Sequence, residues 1–169
     1  TDHVENVRIE DGNLVIEARR EDHKGAEYTS AMIQTRESFH YGRFEARMKL
    51  PDGRGTWPAF WLVNDDKWPD YGEIDVMEHY ARDTTTDGEP QSMGMVESNL
   101  HSAPPAEIPA LTSWGRLTST PVDVNGWHTY AVEWAEGEIR FFVDDEQTAV
   151  HTRPPAGEDQ TWPFDDHAE

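Results

Sequence analysis

Glu73, Asp75 and Glu78 lie within six residues of one another, in the run Gly72-Glu73-Ile74-Asp75-Val76-Met77-Glu78-His79. Ile, Val and Met interleave with the acids, which is the pattern of a buried or half-buried strand. Carboxylates are costly to bury unless paired or hydrogen-bonded. A strand that carries three of them is therefore either used chemically or covered by cations. Side chains on a strand alternate faces, so Glu73 and Asp75 share one. Strict alternation puts Met77 beside them and turns Glu78 away. One β-bulge after Asp75 brings Glu78 back to its partners. Two glutamates leaning together can then close to about 5–5.5 Å, the carboxyl separation that suits glycosidic hydrolysis with retention. Asp75 between them can hydrogen-bond a neighbour and help set which group keeps a proton.

Trp57, Trp61 and Trp68 precede the acids closely in sequence. An indole in a globular chain is commonly a core residue. Beside paired carboxylates it has a second use: the C–H face of a pyranose ring stacks on it while the sugar hydroxyls find polar partners. Trp57 and Trp61 together favour the second reading. The bland reading of the acids, a surface strand facing water, is weakened by the same neighbours.

These side chains need a frame, and the chain of 169 residues is long enough for one domain with a real core. It carries 14 basic and 34 acidic residues, a formal net charge of −20. A phosphate-binding protein needs a basic face, so nucleic acid is not an expected partner. Anionic membrane surfaces are disfavoured for the same reason, and no apolar stretch is long enough to span a bilayer. There is no cysteine, so neither disulfides nor thiolate metal sites enter. The eight histidines are scattered and no H-E-x-x-H run occurs, which argues against a zinc protease. No signal peptide is read, and the start at Thr1 without Met suggests a processed or trimmed chain.

The periodicity predicts an all-β chain. Asp11-Gly12-Asn13 joins two short apolar-patterned runs, Val7 to Glu10 and Leu14 to Ala18, as a hairpin. A strand is expected over 28–35. Phe44, Ala46, Met48 and Leu50 alternate with Arg43, Glu45, Arg47 and Lys49, giving a half-buried strand that Pro51-Asp52-Gly53 ends. Strands are expected over 94–101, 127–135, 139–143 and 147–152, and loops over 80–93 and 102–121. The Pro-rich acidic tail from Arg153 reads as loop. No helical period and no repeat is present. Short strands with regular turns indicate a sandwich or barrel.

Several blocks then carry a resemblance. Tyr41-Gly42-Arg43-Phe44-Glu45-Ala46-Arg47, Gly55-Thr56-Trp57-Pro58-Ala59-Phe60-Trp61, the stretch Trp68 to His79, Trp127 to Trp134 and Ile139 to Asp144 follow in order. Together they resemble glycoside hydrolase family 16, in its bacterial laminarinase branch. The resemblance implies a concanavalin A-like β-jelly-roll sandwich with an open cleft on its concave sheet. It implies an extracellular endo-glycosidase that cuts β-1,3 or mixed β-1,3/1,4 glucans such as laminarin by double displacement. On that resemblance Glu73 is the nucleophile, Glu78 the general acid/base and Asp75 their assistant. Trp57 and Trp61 match tryptophans of the cleft, and His101 matches the histidine that closes the next strand. Trp68, Arg36 and Asn6 are taken as further sugar contacts. No cofactor is needed for catalysis on this reading. A polysaccharide substrate and a monomer are expected. The Gly55 to Trp61 block resembles the glucanase branch more than the agarase or carrageenase ones.

Residues 1–169 are thus expected to form a single catalytic domain, and one that lacks strands the family has at both ends. The family's frequent structural calcium takes ligands partly from those strands and has no placement here. Two other readings compete. A non-catalytic β-glucan-binding module would use the same sandwich, but such relatives usually lose one of the motif acids, and all three are present. A calcium-binding structural protein would need six to eight converging oxygens, more than one strand face supplies.

Overall fold

The structure is a computed structural model that describes residues 4–64, 67–81, 94–103, 114–155 and 162–166. It divides into two compact units, Thr1–Ser38 and Phe39–Glu169.

The N-terminal unit is built of two hairpins behind a 3-10 turn at Val4–Asn6. Strand β1 (Val7–Glu10) pairs antiparallel with β2 (Asn13–Ile16), as the sequence predicts. Asp11 and Gly12 turn between them with φ of 50° and 78°. Two positive φ values make the two-residue connection whose twist matches its strands. The second hairpin, β3 (Arg19–His23) with β4 (Ala26–Thr29), corrects the strand expected over 28–35. Pairing there ends at Thr29, and residues 30–35 belong to no strand. The run Arg19-Arg20-Glu21-Asp22-His23 has no apolar alternation, so periodicity could not reveal it as a strand.

The second unit is a sandwich of two open antiparallel sheets, a β-jelly roll. One sheet has the order β13-β12-β11-β5, formed by Glu146–Thr152, Glu138–Val143, His128–Ala135 and Gly42–Met48. The other runs β10-β8-β7-β6, formed by Thr118–Pro121, Met95–Ser102, Glu73–Glu78 and Ala59–Val63, with β9 (Trp114–Gly115) also on β8. Strands β9 and β10 correct the loop expected over 102–121, whose residues 104–113 lie outside the described residues. Most of the loop expected over 80–93 lies outside them too. Thr118-Ser119-Thr120-Pro121 is polar and ends in proline, which suits only an edge strand, and β10 is an edge.

The core lies between the two sheets. Ile74, Val76, Met77, Val96 and Leu100 enter it from the β7–β8 side; Tyr130, Val132, Trp134, Ile139 and Phe141 come from β11 and β12. Strand β5 shows the expected alternation, with Phe44, Ala46 and Met48 turned inward and Arg43, Glu45 and Arg47 outward. The tail is more than a loop. Phe164 is fully buried, its carbonyl accepts a hydrogen bond of 2.9 Å from Trp134 Nε1, and Asp165 accepts one of 2.8 Å from the Gly137 amide. This plug closes the core beside Gly72, at the entry to β7.

Candidate active site

The acids stand on β7, the strand between β6 and β8. Its register breaks where the spacing of the acids requires. Against β8, Asp75 pairs with Asn99 but Glu78 pairs with Glu97, so β7 spends three steps where β8 spends two. Against β6, Asp75 faces Trp61 and Met77 faces Phe60, which leaves Val76 as the extra residue. The bulge sends both Val76 and Met77 into the core and returns Glu78 to the side of Asp75. Met77 thereby occupies apolar surroundings, which favours the bulged register over the regular one.

Each glutamate receives an indole N–H. Trp57 Nε1 donates to Glu78 Oε1 over 2.8 Å, and Trp68 Nε1 donates to Glu73 Oε2. Tyr80 Oη also donates to Glu78 Oε1, again over 2.8 Å. Asp75, whose charge bears on Glu73, lies 3.1 Å from His101 Nε2 through its Oδ2. Asn99 Nδ2 sits 3.0 Å from the same imidazole nitrogen. The sequence therefore led to Glu73, Asp75, Glu78, Trp57, Trp61, Trp68 and His101, and the structure brings these together on one sheet face. It missed Tyr80 and Asn99. Tyr80 follows Glu78 by two, and a two-residue period was the available signal.

Beside Glu73 an open groove of about 240 Å³ is lined by Trp61, Val63, Trp68 and Glu73. Trp57, Trp61 and Trp68 are 63%, 37% and 45% exposed, far more than core packing permits. Exposed indoles flanking a carboxylate groove offer flat apolar faces to a ring that is itself half apolar.

Burial and charge set the proton inventory. Glu73 is pushed up to about 7, first by burial and then by the charge of Asp75, against the Trp68 N–H and His101, which act the other way. Glu78 is also raised by burial and by Asp75, while the Tyr80 and Trp57 donors pull it down. His101 is raised, chiefly by its contact with Asp75, and is held toward its cationic form.

The other two predicted contacts, Asn6 and Arg36, belong to the N-terminal unit. Asn6 is buried, and its amide nitrogen donates to the Glu17 carbonyl over 2.9 Å and to Thr29 Oγ1 over 3.0 Å. That is the work of an amide holding two hairpins together rather than of a sugar contact. Arg36 is exposed at a bend.

Asp75, Glu78 and His101 bring ligand atoms within 4.8 Å of one another, and are the one such group among the described residues. Two carboxylates and an imidazole are not the oxygen cage that calcium takes. The cluster does not fit the structural calcium, and no chemistry is routed through a metal.

Comparison with known proteins shows the family. The model of the glycosyl hydrolases family 16 matches residues 1–167. A β-glucanase of Rhodothermus marinus is 39% identical over 176 residues, covering 96% of this chain and 57% of that protein. Among solved structures, the laminarinase from Rhodothermus marinus superposes with a TM-score of 0.75 at 37% identity, covering 96% of this chain and 65% of that one. SCLam, a non-specific endo-β-1,3(4)-glucanase, gives a TM-score of 0.75 at 34% identity, covering 95% and 60%. The chain thus spans a little over half to two-thirds of the length of these relatives.

Proposed function

This chain belongs to the glycosyl hydrolases of family 16, and from that premise we propose that it is a retaining endo-hydrolase of β-1,3 or mixed β-1,3/1,4 glucans, with laminarin as the model substrate. The observation that carries the reading is the bulge at Val76, because it sets Glu73, Asp75 and Glu78 on one face beside a tryptophan-lined groove. Glucosyl rings stack on Trp57, Trp61 and Trp68. Glu73 attacks the anomeric carbon as Glu78 protonates the departing glycosidic oxygen. The bond broken is C1–O and the bond formed is an ester to Glu73. Glu78, now ionised, takes a proton from water, whose oxygen displaces Glu73 and restores the anomer. Asp75 stands beside Glu73, and His101, 3.1 Å from Asp75 Oδ2, supports the charge of Asp75. A polymeric glucan does not cross a cell membrane, so the enzyme acts outside the cell, as a monomer.

Replacing Glu73 tests the assignment. Glu73→Gln should lower turnover of laminarin by at least about 10³-fold while leaving glucan binding nearly intact. A variant that keeps more than a small fraction of wild-type activity would show the nucleophile to be elsewhere. Product analysis by NMR should show β-configured oligosaccharides first. Laminarin bound by the wild-type chain with no new reducing ends would favour a glucan-binding module instead.

A further inference from the structure

We propose that Tyr80 is a positioning residue for the acid/base: with Trp57 it clamps Oε1 of Glu78, so that the proton passed to the glycosidic oxygen rides on Oε2. The inference rests on the reading of Glu78 as acid/base. It follows from the count of donors. Oε1 accepts one hydrogen bond from Tyr80 Oη and one from Trp57 Nε1, each 2.8 Å long. A carboxyl oxygen offers two lone pairs, and here both are occupied. Protonating Oε1 would require one of these bonds to break. Among the described residues Oε2 carries no such obligation, and it keeps the proton and the exchange with substrate and water.

The clamp is built as a unit. The rings of Trp57 and Tyr80 lie 4.7 Å apart, tilted by 38°. Their backbones are tied beyond the ends of β6 and β7: the His79 amide donates to the Pro58 carbonyl (3.1 Å), the Ala81 amide to the Thr56 carbonyl (3.2 Å) and the Gly55 amide to the Ala81 carbonyl (2.9 Å). One short ladder therefore fixes both donors against one acceptor. Burial and the neighbouring Glu78 carboxylate push the Tyr80 phenol well above its ordinary value, so it remains an O–H donor at any working pH.

Among the described residues, Asp75 on its own strand and His101 on β8 are the charges that act on Glu78, and Glu97 is its partner on β8. Strand β6, Ala59–Val63, brings no charge. Against that fixed background, Tyr80 favours the ionised form of Glu78, because a donor binds a carboxylate more strongly than a carboxyl.

Tyr80→Phe keeps the ring and removes only the donor. On laminarin, kcat/KM should fall about 10-fold, and the alkaline limb of its pH profile should move up by about half to one pH unit. On a 2,4-dinitrophenyl β-laminaribioside, whose leaving group needs no proton, kcat/KM should stay within about twofold of wild type. Trp57→Phe, which removes the other donor, should move the same limb the same way, and stands in if the Tyr80 variant does not fold. Alkaline limbs that coincide with wild type in both variants overturn the clamp. Glu78→Ala separates this failure from the deeper one. A variant that loses the alkaline limb, releases dinitrophenol in a fast burst followed by slow turnover, and regains turnover when azide replaces water upholds Glu78 as the acid/base, so an unmoved Tyr80→Phe profile then refutes Tyr80 alone. A variant that keeps the wild-type limb removes Glu78 from the role, and the clamp with it.

Discussion

Glu73, the proposed nucleophile, illustrates what a half-buried carboxyl does to the molecule that holds it. Its ordinary value of 4.5 rises to about 7 in the fold through burial and the charge of Asp75. The fold thus prefers Glu73 protonated. Its contribution is most favourable below the ordinary value and is lost as pH rises through about 7, where a charged group must be held in a half-buried site. Glu73→Gln removes that burden. Thermal melts should show the variant more stable than wild type at pH 8 by roughly 1 kcal/mol, a figure reduced for solvent screening of a half-exposed group. The gain should vanish below pH 4.5, where both side chains are neutral. A variant that is less stable at pH 8 and equal at pH 4 would reverse the sign and refute the burial argument. The kinds and spacing of Glu73, Asp75 and Glu78 made this site legible in the sequence, down to the bulge. Their hydrogen-bond partners were not, because an indole N–H reaching a carboxylate depends on where two strands end, which residue type alone does not encode.

At the level of elements, the apolar pattern located β5, β7 and β11 to β13: β5 alternates because one face meets the core and the other meets water, whereas β7 is buried along nearly its whole length. It failed for β3, β9 and β10, which are short, polar or at an edge and have little to bury. It also understated the tail. Trp162, Pro163 and Phe164 are apolar residues amid acids, and their place was set by the opening beside β7 that they fill. Gly72 is the hinge of that arrangement. Its φ is +96°, and a Cβ there would lie 2.7 Å from Phe164 Cε1. Gly72→Ala therefore meets both a left-handed backbone and a buried ring. It should destabilise the chain by about 2–4 kcal/mol, read as a lower midpoint in denaturant at unchanged slope. Because Glu73 is the next residue, activity should fall as well. An unchanged midpoint would mean that the plug yields freely and does not anchor β7.

The whole chain carries 34 acidic and only 14 basic residues, so carboxylates outnumber lysines and arginines by 20. Much of the basic complement is already spent in clusters. Arg43 meets Glu45, Glu133 and Asp145, and Arg140 meets Glu133 and Glu138. Surface pairs of this kind stabilise little, whereas unpaired like charges repel over a Debye length. That length falls from about 30 Å at 0.01 M salt to about 10 Å at 0.1 M. Repulsion should therefore dominate the salt response, and the melting temperature should rise by several degrees across that range of sodium chloride. The neutral glucan supplies the internal control: KM for laminarin should stay level over the same range, because an uncharged chain does not feel the field. A sulfated galactan would feel it, being repelled at low salt and admitted as salt increases. A melting temperature that falls with salt would mean that the arginine clusters outweigh the excess of acid. A KM for laminarin that changes steeply would mean that the cleft recognises its sugar through charge rather than through indole faces and hydrogen bonds.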